Sequence, residues 1–491
     1  MALTFKSWLI RPLLLCSVCS VLLGAALAPT QAQPLPAEVQ AALTRARVPT
    51  DAVAVLVVDA EGKAAPRLSH RADVPMNPAS VMKLVTTYAA LDLLGPAYTW
   101  RTPVWLDGRV EGGVLKGNLV IQGQGDPKLV LERLWLLLRR VQGLGVQRIA
   151  GNIVLDRHAF EVPASDPGDF DGEPLRPYNA APDALLLNFN ALMMTFTPDA
   201  NGLQSRVQID PPLAGVQLPT QVALSKTAAF GDYRAALKAD FSEPKRIQFT
   251  GSYPAACGEK VWSVAYADPA SYSARALEGL WRNMGGKLDG TVVDGPAPAT
   301  VPSFELVSPT LAEVIRDINK FSNNVMAQQL FLTLGLPTMG ASLPNRAQPI
   351  GTASAESART ALRQWWQRRI SPLDVPSIDN GSGLSRQTRS SAQQLAQLLQ
   401  LAWASPLMPE LLASLPVVGL DGTLKRSRAN TASAHLKTGS LRDVTALAGV
   451  VDANSGKRYV LVAMVNHANA GAARPALDAL IDWVAQDDPA K

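Results

Sequence analysis

Cysteine and histidine are the scarce residues of this 491-residue chain, which has three of the first and four of the second. Cys16 and Cys19 lie within the first 32 residues, so Cys257 stands alone in the remainder. A single thiol makes no internal disulfide and no cysteine-rich zinc site, and stability must come from a packed core. His70, His158, His435 and His467 form no HExxH pair or similar metal spacing, so neither a metal nor another cofactor is expected. Runs of Lys or Arg are also missing. The formal charge is +5, and two of those charges, Lys6 and Arg11, sit at the extreme N-terminus. Nucleic acid is therefore not an expected partner. After residue 32 no stretch is long and apolar enough to span a bilayer.

What is present describes a globular chain: 47% hydrophobic and 18% charged residues, over a length that predicts more than one domain. Lys6 and Arg11 precede an apolar run, Leu13 to Ala28, followed by Thr30-Gln31-Ala32. That order of positive flank, short apolar core and small residues predicts a secretory signal peptide over 1–32, cleaved near Ala32, and a periplasmic mature protein. The run falls short of the roughly 20 residues a spanning helix needs.

Along the chain, Val53 to Asp59 reads as a buried strand, turning at Glu61-Gly62-Lys63. From Ser80 to Leu94 apolar residues recur at helical spacing up to a stop at Gly95-Pro96. Strand-like pieces fill Tyr98 to Asp156, with turns expected at Asp107-Gly108, Glu111-Gly112-Gly113 and Lys116-Gly117-Asn118, and a helix over Leu131 to Gly143. Residues 163–245 are richer in Pro, Asp and Ala. Helical patterns return at Leu311–Lys320, Ser354–Arg369 and Ser391–Trp403. Val444–Asp452 and Lys457–Asn466 flank Ala453-Asn454-Ser455-Gly456 as an antiparallel hairpin, before a last helix.

Three short motifs carry chemistry. Ser80-Val81-Met82-Lys83 opens the predicted helix, and residues three apart share a helix face, so the hydroxyl and the amine can meet. A desolvated lysine of lowered pKa can take the serine proton. Ser322-Asn323-Asn324 offers a second hydroxyl and an amide two residues on, although Ser322 or Asn323 could equally be a helix cap. Lys437-Thr438-Gly439-Ser440, preceded by His435-Leu436, reads as an edge strand beside the site. Lys437 and Thr438 suit a carboxylate, and Gly439 would let a ligand approach the backbone. His435 is read as structural.

SxxK, SxN and KTG in this order are the signature set of penicillin-binding proteins and class A β-lactamases. The chain resembles the penicillin-recognising serine enzymes. Its long interval of 242 positions between Ser80 and Ser322 resembles the D-alanyl-D-alanine carboxypeptidase/endopeptidase family, the low-molecular-mass class C penicillin-binding proteins. Asn77-Pro78-Ala79, Gly125-Asp126-Pro127, Tyr178 to Asn190, Asp379 to Arg386 and Gly419 to Leu424 also resemble that family, whereas Gln124 stands where it has glycine.

The resemblance implies an α/β (α+β) transpeptidase-like domain, a five-stranded antiparallel sheet between helices, from 34–99 and 302–491. It implies β-rich inserts, one from 100–160 and 248–301 and a second from 161–247. It also implies roles. Ser80 would be the nucleophile and Lys83 its base. Ser322 would relay a proton, held by Lys83 and Lys437, and Asn324 would orient the substrate amide. The N–H groups of Ser80 and Ser440 would form the oxyanion hole, and Lys437, Thr438 and Gly439 would bind the terminal carboxylate end. The implied partners are peptidoglycan stem peptides and cross-links, and β-lactam inhibitors. The insert carries none of the three motifs and is expected to position wall polymer or partners without doing chemistry. Two alternatives remain open: a β-lactamase-type hydrolase, although no ExxLN segment lies between the first two motifs, and a catalytically silent wall-binding protein.

Overall fold

Val53-Ala54-Val55-Leu56-Val57-Val58 is apolar at every position, so a strand made from it must be covered on both faces. The computed structural model describes residues 33–226, 231–337, 351–430 and 433–487, and the expected signal peptide lies outside them. In it this segment is β1 (Val53–Asp59), followed by β2 (Leu68–His70), β3 (Ala434–Leu441), β4 (Val444–Asp452) and β5 (Arg458–Asn466). They form a five-stranded sheet in the order β3-β4-β5-β1-β2, antiparallel throughout. The first strand of the chain thus pairs with the last, and β3 is left as an edge.

Helices on the two faces are α1 (Ala37–Arg45), α2 (Lys83–Leu94), α3 (Leu311–Lys320), α4 (Asn324–Leu334), α5 (Ala355–Arg369), α6 (Ala392–Trp403), α7 (Met408–Ser414) and α8 (Arg474–Ala485). Val53, Val55 and Val57 join Val39 and Leu43 of α1 and Leu480 and Ile481 of α8 in one apolar cluster. Ala54, Leu56 and Val58 join Leu84 and Val85 of α2 and Leu395 of α6 in another. The alternation along one strand therefore feeds two cores. Three of the helices start on reciprocal capping boxes: Thr310 with Glu313 for α3, Ser354 with Ser357 for α5, and Ser391 with Gln394 for α6.

The chain leaves and re-enters this assembly side by side. Leu311 N donates to Tyr98 O at 2.7 Å, and Trp100 N to Ser308 Oγ at 2.9 Å. Between these points a seven-stranded sheet is built around the paired strands Arg101–Glu111 and Val114–Gln122, and a five-stranded sheet around Ala191–Pro198 and Gln204–Asp210. A single apolar cluster, from Val104 and Leu119 to Phe196 and Tyr253, runs through both, and Cys257 is buried in it as a free thiol.

Two of the expected turns are not turns. Gly108 and Gly117 face each other within the paired strands, and only Glu111–Val114 reverses the chain. A Cβ on Gly117 would lie 1.9 Å from Asp107 O, so these glycines serve close strand approach, which looks the same in sequence as a turn signal.

Candidate active site

The helix expected from Ser80 begins as an α-helix only at Lys83; Ser80 itself lies in a 3-10 turn, Ala79–Met82, after Ala79 at φ 46°. This turn is held from three sides. Asn77 Oδ1 accepts from Ala79 N at 2.9 Å, and Asn77 exchanges two hydrogen bonds with Asn466 on β5. Gly383 packs so tightly that a Cβ would stand 1.9 Å from Ala79 O. Gly439 on β3 approaches likewise, its Cβ position being 2.5 Å from Pro78 O and 3.1 Å from Ser80 N. The bare backbone of Gly439 thus also accommodates the turn that carries Ser80.

Ser80 is partly exposed, whereas Lys83 is completely buried. Lys83 Nζ lies 2.9 Å from Ser80 Oγ, 2.6 Å from Asn324 Oδ1 and 2.6 Å from the Ser382 carbonyl. The last two partners can only accept, and the serine can donate. A neutral amine meets all three, giving two hydrogens and receiving the serine proton in its lone pair. Burial, reinforced by the nearby charge of Lys437, holds the Lys83 pKa well below the ordinary lysine value.

Ser322 sits at φ 56° between α3 and α4, and Asn323 caps α4 by accepting from Met326 N at 3.0 Å. The cap that sequence could assign to either residue is therefore Asn323, which frees the Ser322 hydroxyl to bond Lys437 Nζ at 2.9 Å. Lys437 also donates to the Thr438 carbonyl at 2.7 Å, and burial lowers its pKa to about 7. Thr438 Oγ1 meets Thr423 Oγ1 at 2.7 Å. Ser440 is exposed on the same edge. Among the described residues Lys83 bonds Asn324 and not Ser322, so of the two lysines expected to hold Ser322 it is Lys437 that does so.

Several contributors act through backbone atoms. The loop from Asp379 to Arg386 supplies the Ser382 carbonyl to Lys83, the Gly381 carbonyl to Thr86 Oγ1 at 2.6 Å, and the Ser385 carbonyl to Asn77 Nδ2 at 2.9 Å. Its signal in sequence is the pair Gly381 and Gly383, both at positive φ. From 161–247, the Tyr178 carbonyl accepts from Asn324 Nδ2 at 3.4 Å, and the Phe170 ring lies 4.8 Å from the Arg386 guanidinium. Asp183 and Gln329 of α4 exchange two bonds of 2.9 Å. The insert, expected to position wall polymer or partners and do no chemistry, thus touches Asn324 directly through a backbone carbonyl. His435 Nδ1 faces the Leu412 carbonyl at 3.3 Å, a structural contact. The Gln124 side chain bonds Gln122 at 3.2 Å, within a loop whose Gly125 backs onto Phe160.

Two serine hydroxyls, two buried lysines and one amide thus converge beside an edge strand. Residues 35–487 match the model of the D-Ala-D-Ala carboxypeptidase 3 (S13) family. The chain belongs to that family. A D-alanyl-D-alanine carboxypeptidase of an Actinomadura species is 27% identical over 416 residues, 81% of this chain and 74% of that protein. The crystal structure of penicillin binding protein 4 from Haemophilus influenzae superposes with a TM-score of 0.68 at 21% identity, covering 90% of this chain and 99% of that one. A predatory endopeptidase of Bdellovibrio bacteriovorus shares the fold at a TM-score of 0.52 and 16% identity, over 88% and 93% of the two chains. This S13 chain is accordingly a serine-type peptidase of the D-Ala-D-Ala carboxypeptidase class, with the mixed α/β architecture of the penicillin-binding enzymes.

Proposed function

We propose that the protein is exported to the periplasm and cleaves D-alanyl peptides of peptidoglycan, both terminal D-Ala-D-Ala and D-alanyl cross-links, through an acyl-enzyme at Ser80. The observation that carries this reading is Lys83: fully buried, 2.9 Å from Ser80 Oγ, and bonded otherwise only to acceptors. Lys83 takes the Ser80 proton as Oγ attacks the carbonyl carbon of the penultimate D-alanine. The oxyanion is received by the N–H groups of Ser80 and Ser440, each such donor being worth about 3 kcal/mol in the best-measured case. The C–N bond then breaks, and the proton passes to the departing nitrogen through the Ser322 hydroxyl, which Lys437 holds at 2.9 Å. Water hydrolyses the resulting ester, with Lys83 again accepting a proton.

Asn324 serves both substrate and base, since its Oδ1 fixes the Lys83 amine at 2.6 Å. Lys437, Thr438 and Gly439 form the part of the edge that receives the terminal carboxylate, and a carboxylate there would restore the positive charge of Lys437. Penicillins enter as substrates whose acyl-enzyme hydrolyses slowly. The test is to incubate the purified chain with pentapeptide and cross-linked muropeptides and identify products by mass spectrometry. Loss of one D-alanine, or conversion of dimers to monomers, is expected from the native chain and not from Ser80→Ala. Products unchanged in Ser80→Ala would overturn the reading.

A further inference from the structure

Two large apolar side chains beside the site are left in water: Phe321 is 70% exposed and Leu420 62%. Phe321 immediately precedes Ser322, and Leu420 immediately precedes Asp421. Their loops are fastened together. Lys320 Nζ pairs with Asp421 Oδ2 at 2.5 Å, its own side chain only 7% exposed, and a Cβ on Gly422 would sit 2.6 Å from Lys320 O. Thr423, three residues beyond Leu420, touches Thr438 at 2.7 Å.

The edge strand shows which side of the site this is. Outside β3, Leu436 N donates to Pro416 O at 3.0 Å and Val418 N to Ala434 O at 3.1 Å, and Val417 bridges His435. The strand edge is therefore covered from 434 to 436. A peptide adding to β3 has the stretch from Lys437 to Leu441, and its carboxyl-terminal end lies at Lys437 and Thr438. The covering chain turns away into the loop that carries Leu420 at that same end. Phe321 and Leu420 thus flank the departing part of the substrate, and the acyl part extends the other way, toward Ser440.

We infer that Phe321 and Leu420 form a leaving-group subsite for the second stem peptide of a cross-link. This rests on the Ser80 reading above and deepens it. When a terminal D-alanine departs, its nitrogen carries only a carbon bearing one methyl and the carboxylate, which leaves little to reach an apolar shelf beyond Thr438. When a cross-link is cut, the nitrogen belongs to a diamino-acid side chain, whose methylene carbons run out over that shelf. Burying those carbons against two side chains already presented to water favours the cross-linked substrate.

The test compares kcat/KM on a cross-linked muropeptide dimer with kcat/KM on a monomeric pentapeptide ending in D-Ala-D-Ala, and monitors penicillin acylation as a control for an intact site. In Phe321→Ala/Leu420→Ala the dimer-to-pentapeptide ratio should fall roughly tenfold, the range one apolar contact supplies in a substrate pocket. Phe321→Leu, with Leu420 kept, should restore most of it. A ratio unchanged in the double variant overturns the inference, and so does a parallel fall of both rates and of acylation. A native chain that reacts with penicillin and trims pentapeptide but leaves dimers intact also overturns it, while sparing the Ser80 reading. A native chain inert to penicillin and to both peptides removes that reading and the subsite together.

Discussion

Lys83 and Lys437 are both fully buried, and their depressed pKa values tie activity to pH through two opposed limbs and tie stability to pH as well. On the proposed role of Lys83 as base, acylation needs it neutral, so the rate should fall as pH drops through the lowered Lys83 pKa. Binding of a terminal carboxylate needs Lys437 charged, so for such peptides kcat/KM should also fall above about 7, the Lys437 value in the free enzyme. An ester substrate without that carboxylate should keep the acid limb and lose the alkaline one; a shared alkaline limb would contradict the assignment. Stability moves with the same protons. An unfolded lysine titrates near 10.4, so between the folded and unfolded values the unfolded chain binds more protons, and stability rises with pH. The slope for one proton is about 1.4 kcal/mol per pH unit. Urea unfolding of Lys83→Met at pH 7.5 and 9 should show a flatter dependence than the native chain. These residues were readable in sequence because their identities carry the chemistry. Ser382 and Tyr178 were not, since each contributes only a carbonyl, which any residue possesses.

Among the elements, the loop from Asp379 to Arg386 and strand β3 grip the nucleophile turn from two sides, and glycine is what lets them. Gly383→Ala places a Cβ 1.9 Å from Ala79 O at a residue with φ +77°. A displacement of about 1 Å at a reacting group costs on the order of a hundredfold in rate, so acylation should drop by that much. Gly456, in the β4–β5 hairpin, has nearly the same φ, +78°, but open space around it. Gly456→Ala should cost about 1 kcal/mol of stability from the left-handed backbone and leave acylation unchanged. Equal kinetic losses in the two variants would show that strain alone, and not the seating of Ser80, is responsible. The strong hairpin Val444–Asp452 with Arg458–Asn466 was legible within one residue, because its apolar residues and turn point the same way. The start of α2 was not, because the 3-10 turn before it is imposed by Gly383 and Gly439, far away in sequence.

At the scale of the whole molecule, the two segments that make the central sheet are separated by an insert that also touches the site. Gln329 is completely buried and returns both of its bonds to the Asp183 backbone, while Asn324, five residues earlier, meets Tyr178. Gln329→Met leaves the partly buried N–H and C=O of Asp183 without their partner and should cost about 1 kcal/mol in urea unfolding, with slower acylation. Normal acylation in that variant would return the insert to a purely positioning role. From the need to bring Ser80 to Ser322 the sequence predicts an exit near Thr99 and a return near Pro302, and the two passes run side by side where Tyr98 meets Leu311 and Trp100 meets Ser308. It did not reveal that the insert leans on α4, because Asp183 and Gln329 are ordinary polar residues whose pairing depends on packing. The account stands most directly on one measurement: the mass of the chain after reaction with penicillin, followed by peptide mapping. It predicts a single adduct on the peptide containing Ser80, absent from Ser80→Ala while Ser322→Ala still forms it slowly. An adduct on any other serine, or none with the folded native chain, would contradict it.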